Sequence, residues 1–425
     1  MIKKIRYLPE LVSYGGLRSI DAKQSPDVAQ AMKYFKEFCL LVVSSIFVFN
    51  PTLKSKHTQT MKALINAQIF DGTSTQALQN QAIIIDNKQI LGLVPQNSLP
   101  TDMPIHDCLG QFVAPAFIDL QIYGGGGSLF NTEISEETIH KTITEQRQFG
   151  TAQLQITLST VPLEDMLKAI AVCKSYQANH AGLLGLHLEG PYFSLEKRGA
   201  HLAKYVKKPT IQELKTIINH STGLQTYMTI AAEQIDDECL NLLINSHIHL
   251  SLGHSSATYK QAKKIFGQGI NRVTHLFNAM TAFQSREPGI VGAAYDSDVY
   301  ASIIADGIHC DFAAVGISKK IMGERLFLIT DAVTQDTRGE YRFEFATDRF
   351  VNDQGTLSGS ALNMMQAVRN CVEKIGIPLA EALKMASTYP AKVVKIDDRF
   401  GKIAQGYVAQ MVVFDRDFAV SHVYG

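Results

Sequence analysis

The chain has 425 residues with 40 Lys plus Arg against 40 Asp plus Glu, so its formal net charge is zero and no long-range field draws it to nucleic acid or an anionic membrane. A small molecule is the expected partner. Six scattered cysteines (Cys39, Cys108, Cys173, Cys239, Cys310, Cys371) form no C-x-x-C pair and no short disulfide framework, which excludes a disulfide scaffold and fits a reducing cytoplasm.

Residues 1–60 differ in character from the rest of the chain. They lean basic and hold one apolar run, Phe38–Phe49, of twelve residues interrupted only by Ser44 and Ser45. A bilayer span needs about 20 apolar residues, so this run is too short. It also begins too deep for a secretory signal, and no A-x-A-like cleavage site follows it. The preferred reading is an N-terminal extension, with Met61 as an alternative start; the rivals are a peripheral helix packed on the fold and a membrane-associated segment.

From Met61 the pattern changes to short strands and turns: Ala63–Ile69, then Phe70-Asp71-Gly72-Thr73, Ala82–Ile85, Asp86-Asn87-Lys88 and Ile90–Val94. The far end of the chain reads the same way, with Gln410–Phe414 and Phe418–Val423 behind a Gly401–Gly406 turn region. Neither piece can build a core alone. Residues 61–111 and 393–425 are therefore expected to combine into one small β-sandwich domain.

Between them, residues 112–392 alternate strands and helices. The candidate strands are Phe117–Ile122, Thr151–Thr157, Leu184–Glu189, Thr226–Ala231, Ile248–Leu252, Asn271–Thr274, Ala301–Ala305 and Leu326–Thr330. Helices are expected at Glu136–Phe149, Pro162–Tyr176, Thr210–Ile218, Ser256–Phe266, Ala361–Ile375 and Pro378–Ser387. Eight strands at this spacing, with polar residues at their carboxyl ends, predict an α/β fold of the (β/α)8 TIM-barrel type with its site on that face. A doubly wound sheet is the alternative.

The polar strand ends carry the chemistry. In Gly185–Phe193, G-L-H-L-E-G-P-Y-F, an apolar run ends at Glu189, and Gly190-Pro191 stops both strand and helix. His254, His275 and Asp331 end later strands in the same manner. A Glu and two His suit a divalent first-row ion such as zinc, and a fourth, unligated carboxylate suits a general base. The plain alternatives are a solvated loop acid for Glu189, core or surface histidines for His254 and His275, and a helix cap for Asp331. His187, two residues before Glu189 and on the same side of its strand, is read as a residue behind the ligands or in the core. His247 and His249 are read as structural. The four glycines Gly124–Gly127 lack the Lys-Ser/Thr of a phosphate loop and read as a turn.

Taken together, Ala114–Gln121 (A-P-A-F-I-D-L-Q), His187–Pro191, Gly199-Ala200-His201, Gly253-His254-Ser255, Thr274–Met280 (T-H-L-F-N-A-M), Arg286–Gly289, Ala305–His309 (A-D-G-I-H), Thr330-Asp331-Ala332 and Thr356–Ser360 resemble, in order and number, the N-acetylglucosamine-6-phosphate deacetylases of the amidohydrolase superfamily. The resemblance runs from about Met61 to the C-terminus. Many amidohydrolases carry H-x-H at the end of the first barrel strand; here those positions are Gln121 and Tyr123, which implies one principal metal. Ala116 stands where the family usually has Gly.

The resemblance implies one divalent metal ion per subunit, zinc first with iron, cobalt or manganese as alternatives, held by Glu189, His254 and His275. It implies that Asp331 moves the proton and that His201 polarises the substrate carbonyl. It further implies sugar-phosphate contacts from Asn278, Arg286 and His309, with Ala200, Ala279, Asp306, Gly307, Ile308, Leu357, Ser358 and Gly359 contributing loop and backbone contacts, and Gln121 behind the ligands. The expected reaction is hydrolysis of N-acetylglucosamine 6-phosphate to glucosamine 6-phosphate and acetate in a cytoplasmic homodimer, where a phosphate ligand such as Arg286 can come from the neighbouring subunit. The galactosamine epimer or another N-acyl substrate is the alternative. A non-catalytic relative is disfavoured because Glu189, His254, His275 and Asp331 are all retained.

Overall fold

The computed structural model describes residues 61–425, which form one compact unit. The run Phe38–Phe49 and all that is expected of residues 1–60 lie outside the described residues. Eight parallel strands succeed one another around one sheet in chain order: Phe117–Ile122, Thr151–Leu158, Leu183–Glu189, Thr226–Ile230, His249–Leu252, Arg272–Val273, Tyr300–Ile303 and Leu326–Leu328. The first meets the eighth where Asp331 donates its N–H to the Gln121 carbonyl and Tyr123 donates to the Ala332 carbonyl, both at 2.9 Å. These bonds join the two ends of the sheet into a barrel. The strand order never reverses, so the switch point of a doubly wound sheet does not arise.

The strands are buried along nearly their whole length because helices cover the outer face while side chains fill the inside. Much of that filling is polar. Thr229 Oγ1 lies 2.8 Å from His187 Nε2 and 2.8 Å from Thr274 Oγ1, which donates in turn to Ser251 Oγ at 2.7 Å. Each hydroxyl can both donate and accept, which lets these side chains pack polar atoms inside the barrel. The helices start on side-chain caps: Ser135 accepts from the Thr138 N–H, Thr210 from Glu213, and Thr258 forms a capping box with Gln261.

The structure adds helices Asp237–Ile244, Gly289–Tyr295, Phe312–Met322 and Thr388–Val393 to the sequence reading. Gly289–Tyr295 buries six of its seven residues, so it has no polar face and no helical period to read. Asp237–Ile244 did carry a signal, since Asp236 caps it by accepting the Cys239 N–H at 2.8 Å. The helix expected over Ala361–Ile375 is α-helical at Met364–Asn370 and widens into a π-turn over Cys371–Ile375.

The chain ends form two four-stranded sheets. One runs Gln89–Pro95, Gln81–Asp86, Met61–Ile65, Ile105–Asp107; the other runs Gln68–Ile69, Phe112–Pro115, Met411–Phe414, Val420–Tyr424. Leu64, Ile83, Ile90 and Val113 from one end share a core with Ile403, Met411 and Val413 from the other. Strands Ile105–Asp107 and Phe112–Pro115 escape the sequence reading, being only three and four residues long. Among the described residues, no helix is long and apolar enough to cross a membrane.

Candidate metal centre and active site

The carboxyl ends of the barrel strands open on a cavity of about 190 Å³ lined by Glu189, His201, His254, His275, His309 and Asp331, with Tyr123, Asn278, Tyr341 and Phe343 among its other walls. Glu189, 1 % exposed, stands at its floor. Its Oε1 lies 3.0 Å from His275 Nε2 and 3.3 Å from His254 Nε2, and those two nitrogens are 3.1 Å apart. A tetrahedral ion with bonds of about 2.0–2.1 Å keeps its ligand atoms roughly 3.3 Å apart, so this triangle has the right edges. The second oxygen, Oε2, is buried and accepts no hydrogen bond. A buried carboxylate oxygen without a donor is costly unless a cation sits against it. The three residues therefore fit a divalent ion.

His201 also belongs to this cluster, with its Nε2 3.3 Å from Glu189 Oε2, and Glu189, His201 and His254 form a group able to hold a cation. Hydrogen bonding separates the two histidines. The Nδ1 of His254 lies 2.8 Å from the Lys197 carbonyl, which can only accept, so Nδ1 carries the proton and Nε2 keeps its lone pair. The Nδ1 of His201 receives the backbone N–H of Thr160 at 3.2 Å, and a backbone N–H can only donate. On His201 the proton is therefore on Nε2. One histidine offers the cavity a lone pair and the other a donor.

Burial alone would raise the Glu189 carboxyl, but the imidazoles of His201, His254 and His275 crowded around it hold it well below the usual carboxylate range. Burial pushes the His254 imidazole down to about 4, which favours the neutral form a ligand needs. Asp331 moves the other way, up to about 7, because burial and then the Glu189 charge disfavour its ionised form. Gln121 links the two acids: its Nε2 donates to Glu189 Oε1 at 2.9 Å and to Asp331 Oδ1 at 2.6 Å. An amide donor thus fills the position where H-x-H relatives have a histidine.

The backbone at the site is strained. His254, His275 and Asp331 have φ of +47°, +34° and +54°, a left-handed region that costs a non-glycine residue roughly 1–2 kcal/mol. Hydrogen bonds hold the turns in place. Asp119, itself raised to about 6 by burial, accepts from Thr330 Oγ1 beside Asp331. Glu233 accepts from Ser255 Oγ at 2.7 Å and from the Ser256 N–H at 2.8 Å. Gly190 has φ +93°, and a Cβ there would stand 2.5 Å from Thr160 Oγ1, so only glycine lets this strand end pass so close.

Of the other residues singled out in the sequence, Ala200, Asn278, Ala279, His309, Leu357, Ser358 and Gly359 line the cavity. Asp306, Gly307 and Ile308 do not; Asp306 stands behind His309, 2.6 Å from its Nδ1. His187 turns away from Glu189 toward the Leu120 carbonyl and Thr229. Arg286 lies exposed in its loop and lines no part of the cavity. The sequence reading missed Thr160, Tyr341, Phe343 and Phe193, whose ring stacks on His254 with centroids 4.2 Å apart. Their residue types carry no chemistry of their own, so nothing local singles them out as site residues.

A closed parallel barrel with acids and histidines gathered at its strand ends places a candidate metal centre on the face where enzymes of this fold carry their active sites. The Amidohydrolase family model matches residues 112–424 and the NagA composite domain model matches residues 61–113. An N-acetylglucosamine-6-phosphate deacetylase of Haemophilus influenzae is 37 % identical over 369 residues, covering 84 % of this chain and 96 % of that protein. An N-acetylgalactosamine-6-phosphate deacetylase of a Shewanella species is 33 % identical over 333 residues, covering 76 % and 84 %. The crystal structure of N-acetylglucosamine-6-phosphate deacetylase from Pasteurella multocida superposes with a TM-score of 0.83 at 33 % identity, covering 86 % of this chain and 98 % of that one. The chain belongs to the amidohydrolase family, in its N-acetylglucosamine-6-phosphate deacetylase branch.

Proposed function

We propose that this chain hydrolyses the N-acetyl amide of N-acetylglucosamine 6-phosphate to glucosamine 6-phosphate and acetate. The observation that carries the reading is the Glu189–His254–His275 triangle with Asp331 beside it, joined through Gln121. Glu189, His254 and His275 would hold a divalent cation, which when bound would supply a Lewis acid for the amide carbonyl. His201 donates its Nε2–H to the same carbonyl oxygen and stabilises the charge that gathers there. Asp331 takes a proton from the attacking water and later gives it to the departing nitrogen. Burial and the Glu189 charge push Asp331 upward, the direction that lets a carboxyl hold the proton it must give back. An amine leaves poorly without that proton, so electrophile and donor are both required.

The donor set of one carboxylate and two imidazoles supports zinc, with iron, cobalt and manganese as alternatives. Residues Asn278, His309 and the 357–359 loop are assigned to the sugar and its phosphate. We assign Arg286, exposed in its loop, to the neighbouring subunit's phosphate in a homodimer. Buried free thiols at Cys108, Cys173, Cys239, Cys310 and Cys371 support a cytoplasmic location. We divide the described chain into a small β-domain of 61–111 and 393–425 around a barrel of 112–392. A chain shortened to begin at Met61 is expected to fold and keep full kcat, and loss of soluble protein would overturn that.

Chelation should abolish turnover and added Zn²⁺ should restore it; normal deacetylation by protein lacking a stoichiometric transition metal would refute the site. The galactosamine epimer remains as a second reading because the Shewanella relative bears that name. Comparing kcat/KM on the two 6-phosphates separates them. Arg286→Ala should raise KM for the phosphorylated sugar far more than for free N-acetylglucosamine, and equal losses on both would remove Arg286 from the phosphate site.

A further inference from the structure

His201 is gripped from two directions by segments far apart in the chain. Thr160, just past the second barrel strand, directs its N–H at His201 Nδ1 and sets its Oγ1 2.8 Å from the same nitrogen. Tyr341 comes from the long excursion between the eighth strand and helix Met364–Asn370. Its hydroxyl donates to the Thr160 carbonyl at 2.7 Å and accepts the Leu202 N–H at 3.3 Å. One hydroxyl thus ties the residue that orients the His201 ring to the residue next to His201 in the chain. Tyr341 is only 6 % exposed, and its ring stands edge-on to His201 with centroids 6.5 Å apart. The neighbouring Glu340 reinforces the junction by pairing with Lys204 and accepting from Tyr205 Oη at 2.6 Å.

We propose that Tyr341 is a positioning residue for the reaction: its hydroxyl locks Thr160 and Leu202 so that His201 presents its Nε2–H to the substrate carbonyl. The proposal rests on the reading of His201 given above. Without the hydroxyl, the Thr160 carbonyl and the Leu202 N–H lose their shared partner, and the two supports of His201 can shift independently. Misplacing a polarising group by about 1 Å costs on the order of 10²-fold in rate. A tyrosine that only filled the cavity wall would be replaced by phenylalanine without such a loss.

The test compares wild type, Tyr341→Phe, His201→Asn and the double variant on N-acetyl- and N-trifluoroacetylglucosamine 6-phosphate. Tyr341→Phe should lower kcat on the acetyl substrate about 10–100-fold while KM and bound metal stay unchanged. Fluorines make the carbonyl electrophilic by themselves, so the loss on the trifluoroacetyl substrate should be severalfold smaller. Because Tyr341 acts through His201, adding Tyr341→Phe to His201→Asn should cost nothing more. Unchanged kcat in Tyr341→Phe, equal losses on the two substrates, or additive losses in the double variant would each overturn the proposal. If His201→Asn itself keeps full kcat, the role given to His201 falls first, which is a distinct result. Should Tyr341→Phe not yield folded protein, Tyr341→Met, which also removes the hydroxyl, carries the same substrate contrast and the same non-additivity.

Discussion

Histidines gather at both ends of this barrel, under opposite conditions. At the carboxyl ends, His201, His254 and His275 crowd around Glu189, whose Oε2 is left without a donor, on turns whose φ angles are strained. At the amino ends, His249 Nδ1 accepts from Arg272 Nη2 at 3.0 Å, with Gln225 Nε2 3.0 Å from its other nitrogen. Arg272, 7 % exposed, spends its remaining bonds on the Val393 carbonyl and the Asn271 side chain, at the end of helix Thr388–Val393. A guanidinium against the ring repels any divalent ion, and its other bonds fasten a helix end. What separates the two clusters is that a guanidinium occupies the lower one, while the upper one leaves lone pairs and an anion aimed at a common point.

Breaking the upper cluster should have the largest consequences. Glu189→Gln removes the anion around which the ligands converge, so metal analysis should find well under one ion per chain and turnover should fall to background. Retention of one tightly bound ion would show that the centre lies elsewhere. Asp331→Asn spares the ligands and keeps the acceptor oxygen for Gln121. It is expected to lower kcat about 10²–10⁴-fold with KM and metal content unchanged, as steady-state kinetics and metal analysis can show. A large rise in KM instead would point to a binding role.

The lower cluster should answer only in stability. Burial and then the Arg272 charge press the His249 imidazole down to about 4, against about 6.5 in an unfolded chain. The unfolded state thus binds the proton more readily. The associated stability is complete above about pH 6.5 and is lost as pH falls toward 4, by at most ~1.4 kcal/mol per pH unit. Denaturant melts across that window should show a flatter acid slope for His249→Gln than for wild type. Its kcat at neutral pH should be unchanged, and a changed kcat would mean the two ends of the barrel are coupled.

Several parts of the molecule were legible because they depend on residues near one another in the chain. Apolar runs ending in Glu189, His254, His275 and Asp331 mark strands and their carboxyl ends, and a strand buried on both faces must read as such a run. The capped amphipathic helices were visible for the same reason. Helix Gly289–Tyr295 was not, since burial on all sides erases the period. Where Arg286 ends up was equally hidden, because an exposed loop residue has no local pattern that says which cavity it faces.

By itself, then, the sequence determined which residue types stand at the strand ends and that residues after Met61 and after Gln410 supply short strands, because alternation, turn residues and apolar runs are local properties. Only the tertiary structure decided the distances among Glu189, His254 and His275, the proton positions on His201 and His254, and the use of Gln121 as a bridge between two acids. Those depend on which carbonyl or N–H lies opposite each ring nitrogen. Thr160 is 41 residues from His201 and Tyr341 is 181 from Thr160, so closure of the barrel alone brings them together.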